Sequence, residues 1–335
     1  MRFLVTGAAG FIGFHVCKKL CHAGFEVIGL DNLNNYYDIL LKKARLEQLK
    51  LNTNFKFIKL NLTDKKNIDH LFCKEKFNRV IHLAAQAGVR YSLENPMAYA
   101  DSNLTGHLTI LESCRQYGTE HLVYASSSSV YGSNTRIPFS VTDNTDHAIS
   151  LYAATKKANE VMSHAYAHLY NFPATGLRFF TVYGPWGRPD MALFKFTTAM
   201  CQGKEIDIYN HGRLSRDFTY IDDIVEGIMR IQSIIPGNTT ISSIEPNKMN
   251  KNNILHRLYN IGYGKPVELM TFIKVLEKEL GIKAKINFTD MQQGDVHATW
   301  ADTTALFSAT GYQPQVDIET GIRRFVKWYK SFYHI

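Results

Sequence analysis

The stretch Thr6-Gly-Ala-Ala-Gly-Phe-Ile-Gly13 constrains the chain more than any other. An apolar run at residues 2–6 reads as a buried strand, and residues 11–23 carry a helical pattern that stops at Gly24. Three glycines at GxxGxxG spacing sit at the junction. Gly7 permits a tight turn, Gly10 lets a diphosphate approach the backbone, and Gly13 lets helix and strand pack closely. The N–H groups that open the helix then face the anion. A second strand at 25–30 is closed by Asp31, 18 residues past Gly13. A carboxylate there accepts from the hydroxyls of an adenosine ribose and repels a 2′-phosphate, so the pattern favours NAD over NADP. Arg2 followed by an apolar run superficially resembles a secretion signal, a reading that the glycine turn displaces.

The same alternation continues. Strands are expected at 55–59, 79–83, 121–125 and 174–179, with helices at 37–50, 64–74 (Asp64 as N-cap), 97–117 and 151–170. Strands separated by helical crossovers give a Rossmann-type doubly wound parallel sheet, an α/β fold. After Phe180 the rhythm breaks. Residues 181–190 read as a loop, and 191–202, 221–232, 271–280 and 319–333 read as helices, the second with Asp222 and Asp223 as capping acids. Residues 236–253 are polar and read as an exposed loop. The expected organisation is a dinucleotide-binding domain at 1–181, with segments near 217–262 returning to it, and a smaller α/β C-terminal lobe at 182–335.

The chain has 335 residues, and its 45% hydrophobic and 20% charged content excludes disorder and disulfide-built mini-proteins. Its formal charge of +8 suggests an anionic partner without naming one. No basic cluster or helix-turn-helix pattern supports nucleic acid, and no apolar run approaches the ~20 residues of a membrane span. Cys17, Cys21, Cys73, Cys114 and Cys201 fit no zinc or redox spacing and read as free thiols of a cytoplasmic protein. The thirteen histidines likewise form no metal-ligand spacing, and no metal is expected.

Tyr152-Ala-Ala-Thr-Lys156 opens a predicted helix, and the (i, i+4) spacing places both side chains on one face. An ammonium near a phenol lowers the pKa of the phenol, as a base that removes a hydroxyl proton requires. Upstream, Tyr124-Ala-Ser-Ser-Ser-Ser-Val-Tyr-Gly132 follows the fifth strand, where its hydroxyls can reach a reacting oxygen.

The glycine turn, the serine run and YxxxK in this order resemble the extended short-chain dehydrogenase/reductase family. So do His82-Leu-Ala-Ala-Gln86 and Asn103. The resemblance implies Ser127, Tyr152 and Lys156 as the catalytic set and Asn103 as a structural support. It also implies a cofactor wall of Gly7, Gly10, Phe11, Ile12, Gly13, Asp31, Asn32, Asn61, Leu62, Leu83, Ala84, Ala85 and Gln86, completed by Tyr152 and Lys156. Asn61 stands where the family commonly has an Asp for the adenine amine.

Within the family, residues 84–96, 124–132, 150–160, 178–197, 216–224 and 294–303 are most similar to the UDP-glucuronate 4-epimerases. The activity so implied interconverts UDP-glucuronate and UDP-galacturonate through a 4-keto sugar, with NAD held tightly. That is an isomerase of nucleotide sugars, serving polysaccharide biosynthesis and homodimeric through the helices at 97–117 and 151–170. Dehydratases carry an Asp-Glu pair before Val-Tyr-Gly, and UDP-glucuronate decarboxylases a Glu; here Ser128 and Ser129 stand there. Galactose-type epimerases have Arg-Tyr-Phe-Asn where this chain has Arg178-Phe-Phe-Thr181. A decarboxylase, or a 4-epimerase of UDP-glucose or UDP-N-acetylglucosamine, remains the alternative on the same scaffold. A non-catalytic NAD-binding relative typically lacks the Tyr or Lys that this chain keeps.

A 4-ketone beside a C5 carboxylate is a β-keto acid, which loses CO₂ when the C5–carboxylate bond aligns with the carbonyl π system. An epimerase must hold that bond near the ring plane, and Ser127, Ser128 and Thr181 are the candidates to fix the carboxylate. Arg216 is expected at the substrate diphosphate with Arg188 and Arg90 as further cations, and Asp295 at the uridine ribose. Related enzymes often carry an arginine shortly before this Asp; Gln292 and Gln293 stand there instead.

Overall fold

The computed structural model describes residues 1–237, 255–292 and 294–335. Most of the polar segment 236–253, and Gln293, lie outside the described residues. The first half follows the expected alternation: β1 (Arg2–Thr6), α1 (Phe11–His22), β2 (Glu26–Asp31), α2 (Ile39–Lys50), β3 (Phe55–Lys59), α3 (Lys65–Glu75) and β4 (Arg79–His82). Asp64 caps α3 by accepting from the N–H of Asn67 at 3.2 Å, as the sequence indicates. Helix α2 begins two residues later than expected. Asp38 is its N-cap, accepting from Leu40, so Tyr36 and Tyr37 stay in the preceding loop.

The helix expected at 97–117 is interrupted. A short α4 (Tyr91–Glu94) precedes it, and the expected span itself divides into α5 (Pro96–Tyr99), a π-helical stretch over Ala100–Thr105, and α6 (Gly106–Gln116). Within the π-helical stretch the carbonyl of Asn103 accepts from the Asn159 side chain at 2.6 Å. Next come β5 (His121–Ser127), α7 (Leu151–Tyr170), β6 (Ala174–Phe179) and β7 (Thr181–Tyr183). They are followed by α8 (Ala192–Cys201), β8 (Glu205–Ile208), β9 (Ser215–Tyr220), α9 (Ile221–Ile231), β10 (His256–Ile261), β11 (Pro266–Glu268), α10 (Leu269–Leu280), β12 (Lys285–Phe288), α11 (Thr304–Thr310) and α12 (Ile318–Tyr333).

Seven parallel strands form the main sheet in the order β10-β6-β5-β4-β1-β2-β3. Strand β1 shows why helices cover both faces: Phe3 and Val5 enter one apolar cluster, while Leu4 enters the other. The chain therefore supplies two cores, one beneath α1, α9 and α12 and one beneath α3 and α6. Strand β10 joins the main sheet beside β6, and α9 lies in the same core as α1. The smaller sheets are β11-β9-β7 and β12-β8.

Asp222 and Asp223 do not cap α9. Its N-cap is Tyr220 without a side-chain bond, and Asp223 instead accepts from the N–H groups of Gln315 and Val316 at 3.0 Å. No helix among the described residues is long and apolar enough to cross a membrane.

Candidate active site

The strand order reverses at β1, which lies between β2 and β4, and ligands of such sheets bind beyond the carboxyl ends of the strands at that point. A cavity of about 620 Å³ lies there. Every site residue expected from the sequence lines it. The turn after β1 supplies Gly7, Gly10, Phe11, Ile12 and Gly13, the end of β2 Asp31 and Asn32, and the turn after β3 Asn61 and Leu62. The loop after β4 supplies Leu83, Ala84, Ala85, Gln86 and Arg90. Ser127 and Ser128 follow β5, Tyr152 and Lys156 stand on α7, and Thr181 opens β7. Arg188, Arg216 and Asp295 complete the far wall.

The glycine turn is a built cradle. Gly7 has φ +73°, and a Cβ there would meet the backbone of Ala84 at 2.9 Å. A Cβ on Gly13 would lie 2.0 Å from the Gly7 carbonyl, so this side of α1 touches the turn directly. Thr6 ties the two neighbouring loops together, its hydroxyl accepting from the N–H groups of Leu83 and Ala84 at 3.1 Å. Helix α1 has no side-chain cap and no acid in its first turn. Its first residues line the cavity, so its positive end is directed at whatever anion binds there.

Asp31 accepts from Ala9 and Leu33 at 3.2 and 2.8 Å. Burial pushes its carboxyl above the ordinary value, and those two bonds with the Lys42 charge oppose the rise. This set fits NAD: a tight glycine turn leading into the uncapped start of α1 for a diphosphate, and a carboxylate at the ribose position. The Asn61 Oδ1 accepts from the Thr63 N–H at 3.3 Å and keeps a second lone pair.

The catalytic candidates gather where β5 meets α7. Ser150 caps α7, accepting from Ala153 at 3.1 Å, and so fixes the first turn that carries Tyr152. Ser127 accepts from the N–H of Ser129 at 3.1 Å, which leaves its O–H as a donor. Asn103 accepts from the N–H of Gln86 at 2.8 Å and donates to the Gln86 carbonyl and the Thr155 hydroxyl, both at 3.0 Å. It thereby locks the cofactor loop to the catalytic helix, the supporting role its resemblance implied.

The electrostatics depart from expectation. Lys156, only 4% exposed, donates to the carbonyl of Ala125 at 2.8 Å. Burial pulls its ammonium down to about 8. Burial also pushes the Tyr152 phenol above its ordinary value; the opposing influences are the Ser127 hydrogen bond and the Arg188 charge, not Lys156. The expected lowering of the phenol by the lysine is therefore not what this pocket produces. A dry wall costs both ions, and the Ser127 hydroxyl with the Arg188 charge favours the phenolate.

On the far wall, Arg216 and Asp295 meet each other at 2.6 Å. Arg188 is held by Asp190 at 2.5 and 3.0 Å, and Tyr36 donates to the same carboxylate at 3.1 Å. Arg90 is exposed and stacks over Tyr209, 4.6 Å from the ring centre. Sequence reasoning did not single out Tyr36, Lys42, Lys195 or Tyr209, which also line the cavity. The signal for the first was present in Asn34-Asn-Tyr-Tyr37, a polar-aromatic loop directly after Asp31.

The shift at Lys156 gives a measurable pH dependence. Below pH 8 the lysine is charged in both folded and unfolded chains, and the fold bears the full cost of burying it. Above its unfolded value of 10.5 it is neutral in both, and the cost vanishes. Wild-type stability relative to Lys156→Met should rise by about 3 kcal/mol between pH 8 and 10.5. Urea unfolding of both NAD-free proteins across that range checks it; a constant difference means Lys156 titrates normally.

Comparison with known proteins agrees with this arrangement. Residues 4–325 match the family described as GDP-mannose 4,6 dehydratase. A probable UDP-glucuronate 4-epimerase of Rhizobium meliloti is 50% identical over 336 residues, covering 99% of this chain and 98% of that one. UDP-glucuronate 4-epimerase 1 of Arabidopsis thaliana is 48% identical over 337 residues, covering 98% of this chain and 77% of the plant protein. The crystal structure of UDP-glucuronic acid 4-epimerase from Bacillus cereus, in complex with UDP-glucuronic acid and NAD, superposes with a TM-score of 0.88 at 32% identity, covering 99% and 100% of the two chains. With its glycine turn, its YxxxK helix and a match over nearly its whole length, the chain belongs to the GDP-mannose 4,6-dehydratase family of extended short-chain dehydrogenases/reductases.

Proposed function

We propose that this protein is a UDP-glucuronate 4-epimerase. One observation carries the reading: Tyr152, Lys156 and Ser127 share a cavity with the glycine cradle on one side and Arg216 with Asp295 on the other, and hydroxyls stand at 128, 129 and 181. The names and bound ligands of the similar proteins support it. NAD, when bound, supplies a reversible acceptor for the C4 hydride, so no net oxidation occurs.

The residues divide the work. Gly7, Gly10, the first turn of α1 and Asp31 hold the dinucleotide. Arg216 and Arg188 take the sugar diphosphate, Asp295 the uridine ribose, and Arg90 adds charge at the rim. Tyr152 takes the proton from the sugar 4-OH and returns it, and Ser127 donates to the reacting oxygen. Between the two transfers the 4-keto sugar turns about its diphosphate, which the far wall keeps anchored. Residues 1–181 with 217–262 then act as the cofactor domain and 182–335 as the substrate lobe.

Met97, Leu108, Leu151, Val161 and Leu169 are exposed along α5, α6 and α7. We place a homodimer interface there, in the cytoplasm, where five free thiols are at home and UDP-sugars feed polysaccharide synthesis. Val161→Glu should convert a dimer to a monomer in light scattering, and an unchanged mass would remove this face from consideration.

Incubation with UDP-glucuronate and NAD⁺ should yield UDP-galacturonate. UDP-pentose as the sole product would instead make the protein a decarboxylase. Tyr152→Phe should cut kcat by about 100- to 10,000-fold without altering the fold, the range typical of a lost general base; retained turnover would mean a different base.

Thr181→Ala tests the carboxylate contact. Phe180 breaks β6 from β7, so Thr181 emerges into the cavity at the strand end. Its loss should raise KM several-fold or release UDP-pentose as the carboxylate swings out of the ring plane. An unchanged KM and product profile would rule Thr181 out as a carboxylate ligand.

A further inference from the structure

Arg45, on the inner face of α2, has 0% of its surface exposed. None of its hydrogen bonds among the described residues ends on a carboxylate. Nη1 donates to the Ala9 carbonyl at 2.8 Å and the Tyr37 hydroxyl at 2.7 Å. Nη2 donates to the Trp186 and Gly187 carbonyls at 2.6 and 3.1 Å. Nε is buried without a partner. Neutral oxygens return only part of what desolvating a guanidinium costs, and Asp31, which feels its charge, makes no hydrogen bond to it.

The four acceptors belong to three different loops. Ala9 lies inside the glycine turn, next to Gly10. Tyr37 closes the loop that follows Asp31. Trp186 and Gly187 directly precede Arg188. Trp186 has φ +63°, a left-handed conformation that a bulky residue adopts only when its surroundings impose it. His15 of α1 supplies a further tie, its Nε2 donating to the Pro185 carbonyl at 3.0 Å. Burial holds His15 well below the ordinary imidazole range, at about 4, so the ring is neutral at pH 7 and adds no second cation. Three consecutive carbonyls, Pro185, Trp186 and Gly187, are thus gripped by two helices that flank the cofactor cradle. The Trp186 ring closes the outer side against Phe14, Trp328 and Phe332, with centroids 5.5, 5.3 and 4.9 Å away.

We propose that Arg45 is a positioning residue that couples the two ligand sites of the cavity: one guanidinium fixes the turn that receives the dinucleotide diphosphate and the loop that presents Arg188 to the diphosphate of a nucleotide sugar. This rests on the functional reading above. A ligand that orders the glycine turn orders the Arg188 loop through the shared fork, and the reverse holds by linkage. The arrangement suits an enzyme whose cofactor and substrate must both be seated before a proton leaves the sugar.

Calorimetric titration of UDP with and without saturating NAD, and of NAD with and without UDP, tests it on wild type, Arg45→Lys and His15→Ala. In wild type each ligand should tighten the other about tenfold, within the usual range for coupled sites and equal in both directions. Arg45→Lys keeps the charge, but one ammonium cannot span four oxygens, so the factor should fall to near one. His15→Ala removes a single tie outside the cavity and should lower it partly. A purely structural role would reduce thermal stability without moving the factor, and that result overturns the proposal. Should Arg45→Lys not fold, an unchanged factor in His15→Ala overturns it equally. Wild type that binds both ligands without coupling defeats this inference alone; wild type that binds neither defeats the functional reading with it.

Discussion

Glu160 lies one helical turn past Lys156 and is buried against Arg178 of β6, whose Nε and Nη2 donate to its two oxygens at 2.8 and 2.9 Å. Ser126, the residue before Ser127, donates to the same carboxylate at 2.6 Å. The guanidinium stacks over Tyr131, whose hydroxyl donates to Asn260 of β10 at 2.6 Å. One ion pair therefore joins α7, β5, β6 and β10 directly beneath the catalytic edge. Such a pair adds little net stability compared with an apolar replacement, yet removing one partner costs about 3–5 kcal/mol. Its effect is geometric. A shift of α7 by one residue rotates the helix by about 100° and would take Lys156 away from Ala125 and Glu160 away from Arg178 together. The rotation of the helix that carries Tyr152 is thus specified by a bond that does no chemistry.

This explains which parts of the molecule were legible beforehand. Gly7, Gly13, Asp31 and the Tyr152–Lys156 spacing each carry a signature in their own stretch of sequence. The helix at Leu151–Tyr170 was expected at its observed bounds because its cap and its periodicity are both local. By contrast, the π turn around Asn103 follows from demands made by Gln86 and Asn159, 17 and 56 residues away. The strands of the smaller sheets are as short as three residues and carry too little alternation to be seen. The pairing of Arg216 with Asp295 spans 79 residues, and although both were expected at the site, nothing in their own neighbourhoods indicates that they touch. Arg45 looks like one more cation on an amphipathic helix until the fold surrounds it.

The net charge of +8 acquires a partial address. The cavity is lined by six cations, Lys42, Arg90, Lys156, Arg188, Lys195 and Arg216, against four carboxylates, Asp31, Asp190, Asp207 and Asp295. A surplus of two is small beside the whole, so most of the excess lies elsewhere on the molecule. What the cavity adds is placement. Arg188 and Arg216 are each paired with a carboxylate of the same wall, which keeps two strong cations oriented without a ligand and limits the desolvation that binding must then overcome. Asp190 holds Arg188 charged against the effect of burial.

Charge and hydroxyl are also separated in space, and that separation bears on the choice of reaction. Among the residues that line the cavity with Tyr152, the hydroxyls of Ser127, Ser128, Ser129 and Thr181 stand where an acid able to protonate a leaving hydroxyl would be needed. The four carboxylates belong instead to the ribose position, to the arginine pairs and to Asp207 on β8. A 4-keto sugar formed beside Tyr152 therefore meets donors that can hold its carboxylate but no group placed to expel water from its ring. Burial raises the phenol and lowers the ammonium, so the dry pocket favours the neutral form of both groups. A pocket that lines its candidate base with hydroxyls rather than acids suits returning the hydride to the ketone better than expelling water from it, because elimination needs an acid to carry the hydroxyl away.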